Sequence, residues 1–461
     1  DGRLRPLIGA ATGLLIGTGV AIGSGIFRNP QLVAQQVQTP ALMLAAWLFG
    51  GLFFTLAGLL TAELATRYPR TGGEYIFLRQ VYGPFVAFFF GWGYTVFVVG
   101  GGVATMAVAF GDFTRQLLQW TGGPAWHSGA IGATAVAVIA GVNLLGLRAG
   151  AGTQNLLTLL KVGALLTIVV VAAIKGRPVG WFDSPPPAPI ATQPAEAGGL
   201  LLWLGLFGAA MMPVMWCYEG TTDSVKMTEE IRDPRRAMPI ALVGAGLLVT
   251  CVYLLLNWAF LRVLTPAEMA ASKVVPAEVF TRWAGPAGEK LALLLAMGVV
   301  LGGISSAIVS CVRVTYALAR DGMAFSFLGR MSVDQAPVGA LLVGVGFAIV
   351  LALSGAYRDV LTVYTMSTGL LFGLVNLSLF IIRLREWWRG VEATPIACFR
   401  CPAGMAVSLF LAGTQFAIAA GVAWGDVTDY GGVLTKRTLL TFLAITALYL
   451  VWPKPRHENR T

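Results

Sequence analysis

Charge is scarce in this chain. Asp, Glu, Lys and Arg make up 12% of its 461 residues, about half the share found in soluble globular domains. Histidine is nearly absent: His127 and His457 are the only two, and both fall outside the apolar runs. Cysteine is rare as well. Cys217, Cys251 and Cys311 fall inside apolar runs, while Cys398 and Cys401 form a single C-x-x-C in "IACFRCP", with no second pair and no histidine nearby. A structural zinc site takes about four ligands, so neither a metal nor another cofactor is expected. An intramembrane enzyme needs a nucleophile with its base, or a metal-bound water. The chain offers neither and reads as a non-enzyme. Acids are outnumbered, 22 against 32 bases, for a net charge of +10. In a soluble protein that excess points to nucleic acid. Against so apolar a background it points to basic cytoplasmic loops, and no nucleic-acid partner is expected.

What is abundant is hydrocarbon. The chain is 56% hydrophobic, with a mean hydropathy of +0.75. The apolar residues come in runs of about 20, enough for a helix to cross a bilayer. Twelve runs begin near residues 7, 41, 84, 130, 154, 200, 237, 287, 337, 360, 405 and 438. With both termini placed inside, cytoplasmic segments hold 19 Lys and Arg and external segments 9, which is the bias the positive-inside rule asks for. The expected location is the plasma (inner) membrane. Runs 6–10 repeat the spacing of runs 1–5 at an offset of about 200 residues. Five is odd, so the two halves insert upside down relative to each other, as in one large class of secondary transporters. The expected fold is an all-α integral membrane protein of 12 helices in a 5+5 inverted repeat. Its expected parts are residues 1–175 (first repeat), 176–199 (external loop), 200–383 (second repeat), 384–404 (cytoplasmic interfacial segment) and 405–461 (last two spans and tail).

Two runs are interrupted at equivalent places. In the first, "GVAIGSGIFRNP" sets Gly23-Ser24-Gly25 in mid-span. In the sixth, "MWCYEGTTD" sets Glu219, Gly220, Thr221, Thr222 and Asp223 in one. Unpaired backbone at membrane depth is tolerated only where it lines a cavity. A half-helix starting after Gly25 presents free amides and its positive dipole end, which hold a carboxylate. Half-helices ending near Ile22 and Cys217 present free carbonyls, which hold an ammonium. One carboxylate and one ammonium a few ångströms apart describe an α-amino acid. The competing reading is a plain glycine kink in a packed helix.

Three motifs carry a family likeness: "IGSGIF" (residues 22–27), "ELATRYPRTGGEYIFLRQVYG" (63–83) and "YEGTTDSVKMTEEIRDPRRAMPIAL" (218–242). With them the chain resembles the amino acid–polyamine–organocation superfamily, in particular its L-type amino acid transporter branch. The resemblance implies the LeuT-type fold with broken helices 1 and 6, alternating access, and amino acid transport across the lipid bilayer. It places carboxylate-binding amides on Ser24, Gly25 and Ile26, amine-binding carbonyls on Ala21, Trp216 and Glu219, and an aromatic gate on Trp216. Ile22 and Cys217, where the half-helices end, complete the expected substrate contacts. Glu219 and Thr221 depart from the family's glycine-rich pattern, so side-chain preference does not transfer. The loop "QWTGGPAWHSG" lacks the cysteine with which L-type light chains bind a heavy chain, and no disulfide-linked heavy chain is expected.

Lys161, about seven residues into the fifth run, either snorkels to the interface or needs a partner. Sodium-independent relatives place a lysine there, where its ammonium takes the sodium position near Gly23; Lys161, Gly23, Ser305 and Trp216 are the candidate coupling and gating residues. Glu219, read as the only acid in the cavity, is a ligand for the substrate amine, a proton carrier, or a carboxylate hydrogen-bonded within the break. Asp223 reads as a helix cap. Ser305 and Ser306 are candidates to face the first break. Arg313 reads as half of a structural ion pair. Glycines 100–102 read as ordinary packing positions; the alternative is that they let the third span pass close to spans 1 and 8. "RLREWWRGVE" reads as an interfacial segment and "SPPPAPIATQP" as an external loop. The expected function is sodium-independent transport, by exchange or proton-linked import, of amino acids, chiefly neutral ones. The alternative is a carrier of cationic amino acids or polyamines that uses Glu219.

Overall fold

The computed structural model describes residues 6, 8–120, 122–124, 126–144, 161–174, 176–180, 200–332, 336–354, 357–390 and 398–453. These residues form helices joined by turns, and the one β-contact among them is an isolated bridge between Ile8 and Ile231. In chain order the helices are α1 (Ala10–Ala21), α2 (Gly25–Gln36), α3 (Pro40–Arg67), α4 (Glu74–Tyr82), α5 (Pro84–Leu117), α6 (Trp126–Leu144), α7 (Lys161–Ile174), α8 (Leu200–Tyr218), α9 (Pro234–Val263), α10 (Pro266–Ala271), α11 (Val275–Arg320), α12 (Val338–Ser354), α13 (Tyr357–Arg389), α14 (Gly404–Tyr430) and α15 (Val433–Val451). By length and apolarity eight of them suffice to cross a membrane, or nine spans when the bent pair α1–α2 counts as one. Leu15, Leu166, Leu248, Leu294 and Leu443 stand exposed on their helices, as expected of surfaces that face lipid rather than water. This is an all-α, multi-pass membrane protein.

Local chemistry sets the helix ends. Pro40, Pro84, Pro234 and Pro266 open their helices, where a missing N–H costs nothing and φ is already helical. Gly431 and Gly432, both at positive φ, turn the chain between α14 and α15. Two helices carry internal irregularities. In α11 the helix bends at Ala284 and Gly285, where Gly285 takes φ 61°, so the apolar stretch starts at Pro286. In α5 the residues Tyr94–Gly101 wind as a π-helix. Gly100 there packs on Phe347 of α12, and Gly102 on Tyr364 of α13. These glycines thus serve packing, against α12 and α13.

Packing pairs α3 with α9, α5 with α6, α13 with α14, and α1 with α9. Residues 384–389 of the expected interfacial segment form the end of α13, which runs unbroken to Arg389. Its Trp387 and Trp388 are 76% and 77% exposed. The proline-rich loop of residues 184–194 lies outside the described residues.

Candidate functional site

α1 ends at Ala21, residues 22–24 leave the helix, and α2 resumes at Gly25 with its axis bent by 52°. A Cβ on Gly25 would stand 2.6 Å from the Cys217 sulfur and 3.2 Å from Cδ1 of Trp216. Only glycine lets the start of α2 lie against α8. Ile22 and Gly23 donate to Thr18 and Ala21, and Phe27 to Ser24. The amides of Ser24, Gly25 and Ile26 make no backbone hydrogen bond among the described residues. They are the orphan donors of a helix start, and the helix dipole favours negative charge beside them.

The second break follows Tyr218. Residues 219–222 turn, and the chain continues as a 3-10 helix, Asp223–Glu230, rather than as α-helix. Gly220 holds φ 101°, and a Cβ on it would meet Val20 Cγ1 at 2.7 Å, so the two breaks touch. The carbonyls of Trp216 and Glu219 accept no backbone hydrogen bond among the described residues. One expected acceptor needs correction. The Ala21 carbonyl already accepts the Gly23 amide at 2.9 Å and the Tyr253 hydroxyl at 2.7 Å, which fills its two lone pairs. The Cys217 carbonyl lies 3.0 Å from the same hydroxyl, whose single proton the two carbonyls share. Tyr253 of α9 thus fastens both breaks together.

Between the breaks lies a cavity of about 960 Å³, including the part open to solvent, lined by Ala21, Gly23, Ser24, Gly25, Trp216 and Glu219 among others. Ile22, Ile26, Cys217, Lys161 and Ser305 lie outside its lining. The Cys217 thiol accepts from the Asn29 side-chain amide at 3.3 Å, and Ile22 and Ile26 are 7% and 1% exposed in the core. Trp216 meets Tyr364 edge-on, with ring centroids 4.5 Å apart. Glu219 sits beside Tyr364 and Thr368 of α13. It is not the only acid in the cavity, because Glu74 and Asp223 line it too. Asp223 is not a cap either; it ion-pairs with Lys226, three residues on, and accepts from Ser310 at 2.9 Å and Cys311 at 3.2 Å.

Two groups of ion pairs join the helices around the site, and none of their residues lines the cavity. In the first, Arg28 of α2 ion-pairs with Asp112 of α5, and its guanidinium lies 4.0 Å from the Tyr357 ring centre. Beside it, Tyr357 donates to Asn29 at 3.1 Å, and Asn29 donates to the Pro213 carbonyl at 2.7 Å. In the second, Arg313 grips Glu230 at 2.6 Å, the ion pair expected of it, Arg79 pairs with Asp321, and Glu63 with Arg67 and Arg383.

Lys161 is 4% exposed and donates to the Gly19 carbonyl at 2.6 Å. Buried to that degree, it does not snorkel. Its acceptor lies one turn before the expected Gly23. Ser306 neighbours Gly19, whereas Gly303 of α11 packs directly on Gly23. Ser305 is buried at 2% exposure. The five cysteines are free.

Sequence reasoning missed Tyr253, Arg28, Asp112 and Glu74. A tyrosine within an apolar helix carries no local signal. The one available sign was charge at membrane depth, which Arg28 and Asp112 both show.

The amino acid permease family model matches residues 8–448. The b(0,+)-type amino acid transporter 1 of Mus musculus is 27% identical over 382 residues, covering 82% of this chain and 76% of the relative. The serine/threonine exchanger SteT of Bacillus subtilis (strain 168) is 28% identical over 354 residues, 77% of each chain. The Asc-type amino acid transporter 1 of Homo sapiens is 26% identical over 389 residues, 83% of this chain and 72% of the relative. With nearly its whole length matched and its two breaks facing one cavity, the chain belongs to the amino acid permease family.

Proposed function

We propose that this protein is a sodium-independent secondary transporter of neutral amino acids, working by alternating access. The observation that carries the reading is the pairing of unsatisfied backbone groups across one cavity. The free amides of Ser24 and Gly25 and the free carbonyls of Trp216 and Glu219 belong to residues that line it, with the Ile26 amide next in the chain. The first set binds the substrate carboxylate and the second its ammonium. Trp216 gates the pocket. Lys161, held at the Gly19 carbonyl, occupies the place of a coupling cation. Three relatives support the class by name, as amino acid transporters or a serine/threonine exchanger.

In the same reading the chain forms 12 spans. The pair α1–α2 is the first and α8 with residues 219–230 the sixth, in a 5+5 inverted repeat of residues 1–175 and 200–383. The packing of α3 on α9 fits it, because these are the second spans of each half. Both termini face the cytoplasm of a plasma (inner) membrane, and the Glu74 end of the cavity faces inward. A second reading rests on Glu219: its carboxylate in the cavity recognises cationic amino acids or polyamines. Counterflow of labelled amino acids into proteoliposomes tests the proposal, with decarboxylated analogues as competitors. The expected result is competition by amino acids and none by their amines. Equal competition by an amino acid and its amine would refute the neutral amino acid reading and favour the polyamine one.

A further inference from the structure

The inner end of the cavity holds a charge imbalance. Most acids around it have an arginine. Glu63 pairs with Arg67 and Arg383, Glu386 with Arg67, Glu230 with Arg313, Glu229 with Arg320, and Asp321 with Arg79. Glu74 and Asp223 do not. They share one cation, Lys226, whose ammonium ion-pairs with Asp223 and stands 3.5 Å from Oε1 of Glu74. All three are buried: Lys226 at 0%, Glu74 at 1% and Asp223 at 5% exposure.

The sharing is unequal. Asp223 takes the ammonium, the Ser310 hydroxyl and the Cys311 thiol. Glu74 makes no hydrogen bond through either carboxyl oxygen, yet it lines the substrate cavity. The fold holds it there. Gly72, at φ 108°, and Gly73, at φ 48°, turn the chain so that the Gly72 amide donates to the Lys226 carbonyl at 3.0 Å. A Cβ on Gly73 would meet Val225 at 2.9 Å. This is the service rendered by "TGGE": two glycines bring a carboxylate from a connecting segment into the cavity. A buried carboxylate with neither a cation of its own nor a hydrogen bond is costly. The simplest species that relieves it is a proton.

We propose that Glu74 is a proton-binding site coupled to transport. It takes up a proton from water when the cavity opens on one side and releases it to water on the other, alternating between carboxylic acid and carboxylate. The inference rests on the cavity being the transport site. A metal ion is disfavoured by the same geometry. Lys226 stands where it would repel a second cation, and the Asp223 oxygens already have donors. The titratable and charged groups facing Glu74 are Lys226 and Asp223 from the 3-10 turn and Tyr94 from α5. Cys311 of α11 and Glu219 face Asp223 in turn. The Arg70–Arg79–Asp321 cluster and the Arg320–Glu229 pair flank α4.

The test uses purified protein in proteoliposomes loaded with a pH dye and clamped at zero potential by valinomycin and potassium. The probe is an equimolar mixture of the neutral proteinogenic amino acids, with and without sodium. The expected result is acidification of the lumen on addition of the mixture, indifferent to sodium. Glu74→Gln should lose the acidification and the pH dependence of uptake. Asp223→Asn leaves Glu74 and Lys226 matched one to one. It should move the pH dependence down by about one unit, since a private cation favours the charged carboxylate, and this variant reports even where Glu74→Gln fails to fold. Acidification undiminished in Glu74→Gln, or abolished by Glu219→Gln instead, would overturn the assignment. So would counterflow without acidification in the wild type, or acceleration by sodium at constant pH. Absence of counterflow in the wild type would instead sink the transport reading itself.

Discussion

Gly25 offers the sharpest test of the substrate site. In Gly25→Ala the new methyl stands 2.6 Å from the Cys217 sulfur, 3.2 Å from Trp216 Cδ1 and 3.4 Å from Cys217 Cα. The sulfur contact needs about 0.8 Å of relief to reach ordinary van der Waals separation, and a buried α8 allows little. Overpacking of this kind costs about 1–3 kcal/mol. The relief runs across the two breaks, pushing the amides of residues 24–26 from the carbonyls of Trp216 and Glu219. The expected loss of substrate affinity is therefore about 5- to 150-fold, at 1.4 kcal/mol per decade. Cys217→Ala removes the offending sulfur and costs Asn29 one weak acceptor, while its bond to the Pro213 carbonyl remains. The double variant Gly25→Ala/Cys217→Ala should then recover most of the affinity, a coupling that a double-mutant cycle isolates. Binding is read by scintillation proximity on protein in detergent, with melting temperature as the control for folding. Wild-type affinity in Gly25→Ala would refute the claim that these amides bind substrate. A double variant as weak as the single would refute the steric account.

Lys161→Ala should cut turnover at least about tenfold while affinity changes less, because a buried lysine represents on the order of 3 kcal/mol at membrane depth and ties α7 to α1; normal turnover, or uptake driven by a sodium gradient, would count against it. Arg28→Gln removes the ion pair to Asp112 and the contact with Tyr357, an interaction of about 1 kcal/mol between part-exposed groups. In a background where Cys311 is the only cysteine, that change should speed its modification from the Arg28 end by about fivefold, as followed with an impermeant maleimide. Glu268, which caps α10, is held down to about 2, chiefly by the Arg282 guanidinium and further by Thr265. A depressed carboxyl contributes stability above its unfolded value, near 4.3, and loses it as pH falls toward 2. Hydrogen exchange in the α10 segment should accelerate across that window in the wild type and stay flat there in Glu268→Gln.

Much of this was legible in the chain because membrane depth makes local rules strict. Gly23-Ser24-Gly25 and Glu219-Gly220 announced their breaks, since backbone polar groups in lipid have few other uses. Lys161 announced a partner for the same reason, although its acceptor proved to be Gly19. What stayed hidden depends on long-range placement. Nothing around Glu74 says that its turn folds back into the cavity, and its helix is too short and polar to read as a span. Asp223 looked like a cap for the helix after the second break; Lys226, three residues on, took it instead. The hydroxyl of Tyr253 has no local pattern at all, as it serves two carbonyls 36 and 232 residues away.

The π-helical stretch Tyr94–Gly101 has a consequence for how this protein tolerates length changes. A π turn holds one residue more than the α-helical ladder needs, so it acts as a stored insertion. Deleting Val98 should let α5 close into continuous α-helix without breaking it. Everything beyond would then rotate by about 100°, one residue's share of a 3.6-residue turn. Asp112 would swing away from Arg28, and Met106 away from Gly23, against which it now packs. The chain would remain a membrane helix of ordinary composition, yet its cavity wall would present the wrong face. Here the spare residue works as a phase setting: it fixes which side of α5 looks at the substrate.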